Sequence, residues 1–345
     1  MCIVLLTTTH PDYALVMIDN RDEFILRPTS RPEWWTHQAG HKVLSARDMQ
    51  RAEKGTWLGI TKEGSFAVLT NYRETNLNDI NHPVHAKRSR GGMVTAWLGT
   101  RANENVNSAL ERLIADGVQG VGGFSMVCGK LRRTGPRRVQ PLGIVSNRCD
   151  HVDHVSWICE ERDKVYGLSN TAYGDPDEWR KIEQGKLLLR QATAEAYANK
   201  LSEDEFCDKL FTVLDQDTLP RRDGASLMDM VESLRESIFI PAIGDEEHRR
   251  AAETIRSQGR GEWASASEKA AEEVLKAHGR PESLLGFDTG MYGTQRQTIV
   301  LVDWDGNVTF KERALWDANG NAIPRGQADV VHKFSIEGWQ DEMEE

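Results

Sequence analysis

The sequence predicts an α+β fold in which two sheets are covered by helices. Strand-like segments occur as adjacent pairs near both ends of the chain, at residues 2–18 and 298–313. Helix-like segments follow one another between these pairs, most clearly at residues 178–199. Runs of strands followed by runs of helices are typical of α+β proteins, whereas a βαβ alternation would indicate a parallel sheet. We therefore expect sheets built from hairpins, with the helices packed on their outer faces.

The composition restricts the class of protein. The 345 residues are 39% hydrophobic and 28% charged, which suits one large domain or two ordinary ones. The net charge of −10 disfavours nucleic-acid binding, which normally needs a basic face. Five cysteines, an odd number, indicate reduced thiols. No segment approaches the ~18 apolar residues of a membrane span, so we expect a soluble, cytoplasmic protein for which peripheral contact with a membrane stays open.

The N-terminal pair of strands predicts a buried hairpin. Residues 2–8 and 13–18 are two apolar segments, and His10-Pro11-Asp12 between them is typical of a turn. The polar run at residues 19–23 follows the second strand. Because antiparallel pairing returns the chain to its starting point, we expect this run to lie beside Cys2.

Cys2 combines a nucleophile and a base if the initiator Met1 is removed. Its α-amine, which titrates at ~7.7–8.0, could then accept the proton of its own thiol. This is a one-residue version of the nucleophile–base pair of covalent catalysis. The alternative is that Cys2 is a small buried hydrophobic residue at the start of a strand.

Other patterns predict the remaining elements. Residues 55–61 and 65–70 form a second hairpin that turns at Gly64 and ends at Asn71. A helix from residue 103 to residue 115 is capped by Asn103, and Ser202 begins another helix with a capping box. Further helical or strand-like segments lie at residues 91–98, 124–128, 142–145, 157–159 and 165–168.

Five motifs occur in a specific order along the chain. They are Met1-Cys2-Ile3, Asn20-Arg21-Asp22-Glu23, Gly55-Thr56-Trp57-Leu58-Gly59, Leu69-Thr70-Asn71-Tyr72-Arg73 and Tyr166-Gly167-Leu168-Ser169-Asn170. In this order they resemble the NRDE family, which is the family of transport and Golgi organisation protein 2. The similarity extends from residue 2 to about residue 200 and resumes over residues 292–303.

The resemblance implies a four-layer αββα sandwich of the N-terminal-nucleophile hydrolase type. It further implies one domain over residues 1–340, with surface insertions at residues 130–160 and 218–282. Members of the family look like distant relatives of the N-terminal-cysteine amidases that cleave bile salts and penicillin V. Matching of motifs then gives a catalytic set of Cys2, Arg21, Asp22, Asn71 and Asn170, and a ligand-binding set of Asn20, Arg21, Asp22, Glu23 and Arg296.

Each residue of the catalytic set has an implied task. Cys2 attacks a carbonyl as a thiolate, and Arg21 lowers the pKa of the thiol. Asp22 holds the α-amine, while Asn71 and Asn170 donate hydrogen bonds to an oxyanion. The alternatives are a solvated turn or structural ion pair for residues 21–23, and strand-end caps for the two asparagines.

Two classes of function follow from the resemblance. The first is a pocket protein that takes part in haem mobilisation, in acyl-CoA and lipid homeostasis, and in Golgi organisation and secretion. Such a protein requires no cofactor, has haem or acyl-CoA as candidate cargo, and resides in the cytoplasm in association with Golgi or mitochondria. The second is an N-terminal-cysteine amidohydrolase or thioesterase with Cys2 as nucleophile. Cys2, His82 and His85 are the candidate haem ligands.

A metal site is the remaining alternative. Cys149, His151, His154 and Cys159 place four potential ligands in one short segment. Structural zinc sites usually combine two separated pairs of ligands, and this spacing does not match such a pattern. We therefore predict no metal site.

Overall fold

Two antiparallel β-sheets packed face to face form the centre of the protein. The structure, a computed structural model, describes residues 2–50, 53–72, 89–118, 121–175, 177–220, 227–258 and 290–340. Elements are numbered in chain order. The strands are β1 (Ile3–Thr7), β2 (Tyr13–Phe24), β3 (Glu33–Thr36), β4 (Lys42–Ser45), β5 (Leu58–Thr61), β6 (Ser65–Asn71), β7 (Phe124–Lys130), β8 (Arg133–Gly135), β9 (Arg138–Val139), β10 (Leu142–Ser146), β11 (Ser156–Ile158), β12 (Val165–Ser169), β13 (Tyr292–Asp303), β14 (Asn307–Ala314) and β15 (Asp329–Ser335).

Helices cover both sheets. They are α1 (Gly91–Leu98), α2 (Val106–Gly117), α3 (Arg180–Ala198), α4 (Glu203–Leu214), α5 (Leu227–Met230) and α6 (Glu246–Gln258). Two short 3-10 turns lie at Val152–His154 and Val231–Arg235. Within the described ranges, none of the helices has both the length and the apolar character needed to cross a membrane.

The six-stranded sheet places the first strand of the chain in its interior. Its order is β12-β1-β2-β13-β14-β15, and all neighbours are antiparallel. The seven-stranded sheet has the order β11-β10-β7-β6-β5-β4-β3 and is also antiparallel. Residue 2 therefore enters its sheet between two strands instead of along an edge.

Alternate side chains of β1 face different layers, as the pleat of a strand requires. Val4 and Leu6 lie in the core between the two sheets. Ile3 and Leu5 lie in a second core, beneath α3 and α4. A third core surrounds Trp97, between the seven-stranded sheet and helices α1 and α2. The layer order is α-β-β-α, which confirms the predicted four-layer sandwich of the N-terminal-nucleophile hydrolase type.

Two glycines allow α3 to pack closely on the six-stranded sheet. A Cβ on Gly185 would lie 2.7 Å from a methyl carbon of Leu5, and one on Gly167 would lie 2.6 Å from a methyl carbon of Ile182. Because protein interiors are close-packed, a larger residue at either position would push the helix away from the sheet. The N-terminal half of α3 is thereby held against β1 and β12.

The N-terminal hairpin is confirmed, but its second strand is longer than expected. Ile3 pairs with Asn20, so β1 and β2 are antiparallel as predicted. The polar run at residues 19–23 lies inside β2, which continues to Phe24. Partners from β13, such as Thr294 opposite Asp22 and Gln297 opposite Asn20, keep this polar run extended although they are distant in sequence. Local composition does not reveal such a long-range pairing.

The helix starts are confirmed with one correction. Ser202 caps α4 and shares a reciprocal capping box with Glu205, as predicted. The helix expected from Asn103 begins instead at Val106, and Asn105 is its cap. Asparagines occupy both positions 103 and 105, and only the side chain of the second accepts a hydrogen bond from the first turn.

Several short strands were not predicted. Strand β3 begins at Glu33 and pairs with β4, and neither of these strands was predicted. Strands β8, β9 and β15 were also missed. Four of these five strands have two to four residues, and β15 has an exposed outer edge. Such segments are too short or too polar for a periodic hydrophobic pattern.

The two segments expected as surface insertions are partly built into the core. Residues 130–160 contain β10 and β11, which extend the seven-stranded sheet. Within residues 218–282, Ile238 and Ile240 are fully buried. Other parts of this second segment lie outside the described residues. It stays a prediction that these two segments are insertions. Parts of both segments lie in the core and not only at the surface.

Candidate active site

Cys2 lies beside Arg21 and Asn170 because three neighbouring strands are in register. The two partners of Ile3 are the residues that directly precede Arg21 on β2 and Asn170 at the end of β12. One step further, Cys2 is therefore their neighbour across the sheet. The expectation that the hairpin alone would bring Arg21 to the side of Cys2 agrees with this register.

The Cys2 thiol is nearly buried, with 9% of the residue exposed. The Sγ of Cys2 donates a weak hydrogen bond to the main-chain oxygen of Asp22 at 3.7 Å. The main-chain oxygen of Cys2 accepts a hydrogen bond from Ser169 Oγ at 2.6 Å. Burial raises the pKa of the thiol to about 11. The ammonium group of Met1 opposes this shift, whereas the carboxylates of Asp22 and Asp19 add to it. The thiol is thus protonated at neutral pH and needs a base or a cation to become a nucleophile.

Asp22 is fixed by two side chains of β13. Its Oδ1 accepts a hydrogen bond from Thr294 Oγ1 at 2.7 Å, and its main-chain oxygen accepts one from the Tyr292 hydroxyl at 3.2 Å. The same main-chain oxygen accepts the Cys2 thiol, so the sulfur and the tyrosine hydroxyl are close neighbours. Burial, and then Asp22 and Cys2, raise the pKa of Tyr292 well above its usual value. Tyr292 is therefore a neutral donor beside the thiol.

Arg21 has partners other than the thiol. Its guanidinium lies 4.2 Å from the centre of the Trp57 ring, donates to the side-chain oxygen of Gln295, and is 3.9 Å from a carboxylate oxygen of Glu23. These three contacts engage the guanidinium group of Arg21. The expected lowering of the pKa of Cys2 by Arg21 has no support in this arrangement, in which burial and carboxylates dominate.

Asn170 and Asn71 join the ends of β12 and β6. The Nδ2 of Asn170 donates to the main-chain oxygen of Asn71, while Thr70 Oγ1 donates to the main-chain oxygen of Ser169 at 2.7 Å. The buried Oδ1 of Asn170 has no hydrogen-bond partner among the described residues. Both asparagines are therefore close to Cys2, and the Nδ2 of Asn170 has a second N–H that the bond to Asn71 does not use.

Asn20 has a structural place in the fold. Its side chain is fully buried, and Nδ2 donates to the main-chain oxygens of Leu214 at 2.8 Å and Ile238 at 2.9 Å. It thereby joins β2 to the end of α4 and to the segment that follows. Glu23 also has local partners, because its carboxylate accepts the amide of Phe24 at 2.9 Å. The ligand-binding role expected for these two residues stays a prediction.

Arg296 lies inside β13 instead of just before the last strand pair. In the sheet it stands opposite Arg21 of β2. Its Nε is 3.8 Å from Oε1 of Glu312, and Arg31 Nε is 3.2 Å from the same oxygen. Burial lowers the pKa of Arg296 to about 10, and Glu312 opposes this shift. Burial raises the pKa of Glu312, which the two arginines oppose. Arg296 is thus part of a buried ion cluster in which one carboxylate faces two guanidinium groups.

Asp19 is a buried carboxyl group next to this cluster. It is 1% exposed, and its Oδ2 has no hydrogen-bond partner among the residues that the structure describes. Burial, and then the charge of Asp22, raise its pKa well above the usual value, while Arg21 opposes the shift. A carboxyl whose pKa is higher in the folded state contributes stability below its unfolded pKa, and this contribution is lost as the pH rises toward the folded pKa.

We expect Asp19→Asn to stabilise the protein at about pH 8 by about 1–3 kcal/mol, because the amide carries no charge that burial would penalise. The gain should disappear at about pH 2, below the unfolded pKa of ~3.9, where the wild-type carboxyl is protonated in both states. Urea unfolding at a series of pH values measures this difference. Asp305→Asn, at an exposed position between β13 and β14, is the control. A gain that is equal at both pH values would contradict the assignment.

Lys181 is a residue of the site that the sequence did not indicate. It is the second residue of α3, is 0% exposed, and its Nζ lies 5.6 Å from the centre of the Trp179 ring. Burial lowers the pKa of Lys181, and Asp22 and Cys2 oppose this shift. A lysine in a helix usually lies at the surface, so no local signal could have found it. Tyr292, by contrast, belongs to a segment in which the family resemblance resumes.

The residues considered as metal ligands are not gathered into one site. The Cys149 thiol donates to the main-chain oxygen of His154 at 3.6 Å, and His151 caps the 3-10 turn that follows it. Cys159 lies in the core between the sheets. Among the residues described, no group of three or more histidine, cysteine, aspartate or glutamate side chains could hold a metal ion.

The two sheets and the helices that cover them define an αββα protein with the fold of the N-terminal-nucleophile hydrolase type. The sequence model of the family Transport and Golgi organisation 2 matches residues 1–317, and the chain belongs to this family. This confirms the resemblance derived from the motifs.

Curated relatives agree with the family. The Transport and Golgi organization protein 2 homolog of Homo sapiens is 30% identical over 307 residues, which are 88% of each chain. The homologue of Bos taurus is 28% identical over 326 residues, which are 94% of each chain. Among solved structures, a variant of conjugated bile acid hydrolase from Clostridium perfringens aligns with 97% of this chain and 92% of that chain. Its identity of 8% and TM-score of 0.43 are too low to bear on function.

Proposed function

We propose that this protein handles acyl groups, and that Cys2, once Met1 is removed, accepts the acyl group of a thioester such as an acyl-CoA and passes it to water. The observation that carries the proposal is the place of Cys2. It stands at the start of an interior strand, with its thiol on the main chain of Asp22 and with Arg21 and Asn170 as neighbours across the sheet. A merely structural cysteine would not need this polar surrounding.

The proposed reaction uses the α-amine of Cys2 as its base. The amine takes the proton of the thiol, and the sulfur attacks the carbonyl carbon of the acyl thioester. The bond to the sulfur of coenzyme A breaks, and this sulfur leaves with the proton from the α-ammonium. Water, deprotonated by the same amine, then attacks the S-acyl Cys2 and releases the carboxylic acid and the free thiol. Asp22 stabilises the ammonium form in this cycle.

A thioester suits this site better than an amide. A thiol has a pKa of ~8.5 and leaves readily, whereas an amine must be protonated before it can leave. The Nδ2 of Asn170 uses one N–H on the main-chain oxygen of Asn71, which leaves one N–H of this amide for an oxyanion. An acyl thioester requires less electrophilic assistance, so it is the substrate class that this arrangement favours. Amide hydrolysis is the alternative.

The test is the intact mass of the purified full-length protein before and after incubation with palmitoyl-CoA. We expect a chain without Met1 and a second species that is heavier by one palmitoyl group. Peptide mapping should place the adduct on Cys2, and hydroxylamine should remove it as a thioester. A processed chain that gains no adduct and releases no coenzyme A would contradict the proposal. So would a chain that retains Met1 and nevertheless hydrolyses palmitoyl-CoA, because the α-amine would then not be the base.

The alternative function is the binding of haem as a cargo, without a catalysed reaction. Of its candidate ligands, His82 and His85 lie outside the described residues, and Cys2 is the one that the structure places. Titration of the same preparation with haem tests this alternative. A Soret band that requires Cys2, together with no acyl adduct, would favour haem binding. The family name further supports an action related to the Golgi, which cell fractionation would test.

A further inference from the structure

The ion cluster around Glu312 carries more positive than negative charge. Its Oε1 faces the Nε of Arg31 at 3.2 Å and the Nε of Arg296 at 3.8 Å. Glu312 is 1% exposed and Arg296 is 5% exposed. A charge that is removed from water without a full counter-charge costs free energy. A further negative group beside Arg296 would therefore stabilise this cluster.

Arg296 has donor groups that the described contacts do not use. Its Nη1 donates to the main-chain oxygen of Trp316 at 3.2 Å, and its Nη2 donates to Thr29 Oγ1 at 3.5 Å. Its buried Nε has no hydrogen-bond partner among the described residues. Because a guanidinium has five N–H groups, most of the donors of Arg296 remain for a ligand.

A small cavity lies beside this guanidinium. Its volume is about 20 Å³, and Thr29, Gln295 and Arg296 are in its wall. A water molecule needs about 10–15 Å³ of such space, so the small cavity has room for one small polar group. The planar group that a guanidinium binds with two parallel hydrogen bonds is a carboxylate. The small cavity therefore suits a carboxylate head group.

A larger, mainly apolar cavity adjoins the small one. Both cavities have Ile25, Leu26 and Trp316 in their walls, and Ala252 of α6 lines the larger one. The volume of the larger cavity is about 240 Å³. Because a cavity of ~150 Å³ holds a benzene molecule, this volume accommodates about eight to ten apolar carbon atoms.

We propose that the two cavities form one binding site for a carboxylic acid with an apolar chain of about eight to ten carbons. The carboxylate binds Arg296 in the small cavity, and the chain lies in the larger cavity, between α6 and the segment that follows β2. An inorganic anion would leave the larger cavity unfilled, so the pair of cavities favours an amphipathic ligand. This inference goes beyond the proposed function, because binding of the free acid requires no reaction at Cys2.

The other charged groups at the two cavities have partners or face solvent. Arg27 of the small cavity pairs with Asp48 at 2.7 Å. The carboxylate of Asp317 accepts main-chain amides of its own turn. Three exposed side chains of α6 form the charged part of the larger cavity: Arg249, Glu253 and Arg256. Arg296 is thus the group to which a buried carboxylate would bind.

The test is isothermal titration calorimetry of the full-length protein with octanoate at neutral pH. We expect the affinity to rise by about 4-fold for each methylene from butanoate to octanoate, because each methylene is buried in the larger cavity. Dodecanoate should bring little further gain, since its chain exceeds the volume of the cavity. 1-Octanol has the same chain without the charge and should bind at least about 10-fold more weakly than octanoate.

Arg296→Gln should lower the affinity for octanoate by about 10- to 100-fold, as expected when hydrogen bonds to a charged group are lost. Arg296→Lys keeps the charge without the planar donor pair, so its affinity should lie between those of Arg296→Gln and the wild type. Arg313→Gln is the matched control. Arg313 is a buried arginine of the same sheet that pairs with Asp329 at 3.2 Å and lines neither cavity, so octanoate affinity should stay unchanged.

Ala252→Leu tests the chain compartment separately and decides the question should Arg296→Gln fail to fold. The larger side chain fills part of the cavity, so octanoate should bind about 10-fold more weakly because several methylenes lose their place. The proposal is overturned by octanoate that binds no better than butanoate or 1-octanol, by an absence of binding heat, or by an unchanged affinity in these variants. Each of these results leaves the palmitoyl-CoA test of Cys2 unaffected.

Discussion

Cys2→Ser should lower the rate of acyl-adduct formation by about 10³-fold or more, as expected when a nucleophile of covalent catalysis is replaced. Serine differs from cysteine by one atom, so the strand and its hydrogen bonds are kept. The hydroxyl is a much weaker acid than the thiol, so a far smaller share of it is deprotonated for attack on the thioester. A quenched time course with palmitoyl-CoA, followed by intact mass, measures the rate.

Cys207→Ser separates loss of the nucleophile from loss of a buried thiol. Cys207 is a fully buried residue of α4, on the face that packs in the core against the six-stranded sheet. Its replacement should leave the adduct rate unchanged even if it lowers the stability. An adduct that forms at the wild-type rate in Cys2→Ser would locate the acyl acceptor elsewhere in the chain.

Asn20→Ala should reduce the free energy of unfolding by about 2–5 kcal/mol, since each buried group left without its hydrogen-bond partner costs about 1–3 kcal/mol. The substitution removes one amide and leaves the main-chain oxygens of Leu214 and Ile238 without their donor. Neither oxygen can turn toward water, because Asn20 and Ile238 are fully buried. Urea unfolding of the purified protein measures the change.

Asn107→Ala is the control for this prediction. Asn107 is exposed on α2, and surface substitutions of this kind usually change stability by less than about 0.5 kcal/mol. A loss below about 1 kcal/mol in Asn20→Ala would mean that the two oxygens find other donors. A full loss would show that the first residue of the Asn20-Arg21-Asp22-Glu23 motif fixes the position of the strand that carries the other three.

The N-terminal hairpin could be predicted because its pattern is local. Two apolar segments separated by His10-Pro11-Asp12 are enough to indicate the pairing, and the pairing brings residues 19–23 near Cys2. The extension of β2 through this polar run could not be predicted in the same way. Its buried polar groups are paired with Thr294 and Gln295, whose distance along the chain hides them from any local pattern.

The site shows the same division. Arg21, Asp22, Asn71 and Asn170 were found because family motifs mark their positions, but their hydrogen-bond partners were not. The engagement of Asn170 with the main chain depends on how two strand ends meet, which sequence spacing does not specify. Lys181 is the extreme case, since helix periodicity treats a lysine as a surface residue. Only the close approach of α3 to the sheet turns it into part of the site.

The interior position of β1 has a consequence for the order of events during synthesis. The first strand leaves the ribosome early, but its partner β12 follows only much later in the chain, and β13, the second partner of β2, follows later still. Such non-local pairings form slowly, and domains begin to fold from the N terminus while synthesis continues. During this interval residue 2 is accessible to an aminopeptidase, whereas in the finished sheet it is 9% exposed. The removal of Met1 that we propose would therefore have to precede closure of the sheet, so that the timing of translation would decide whether Cys2 acquires its own α-amine.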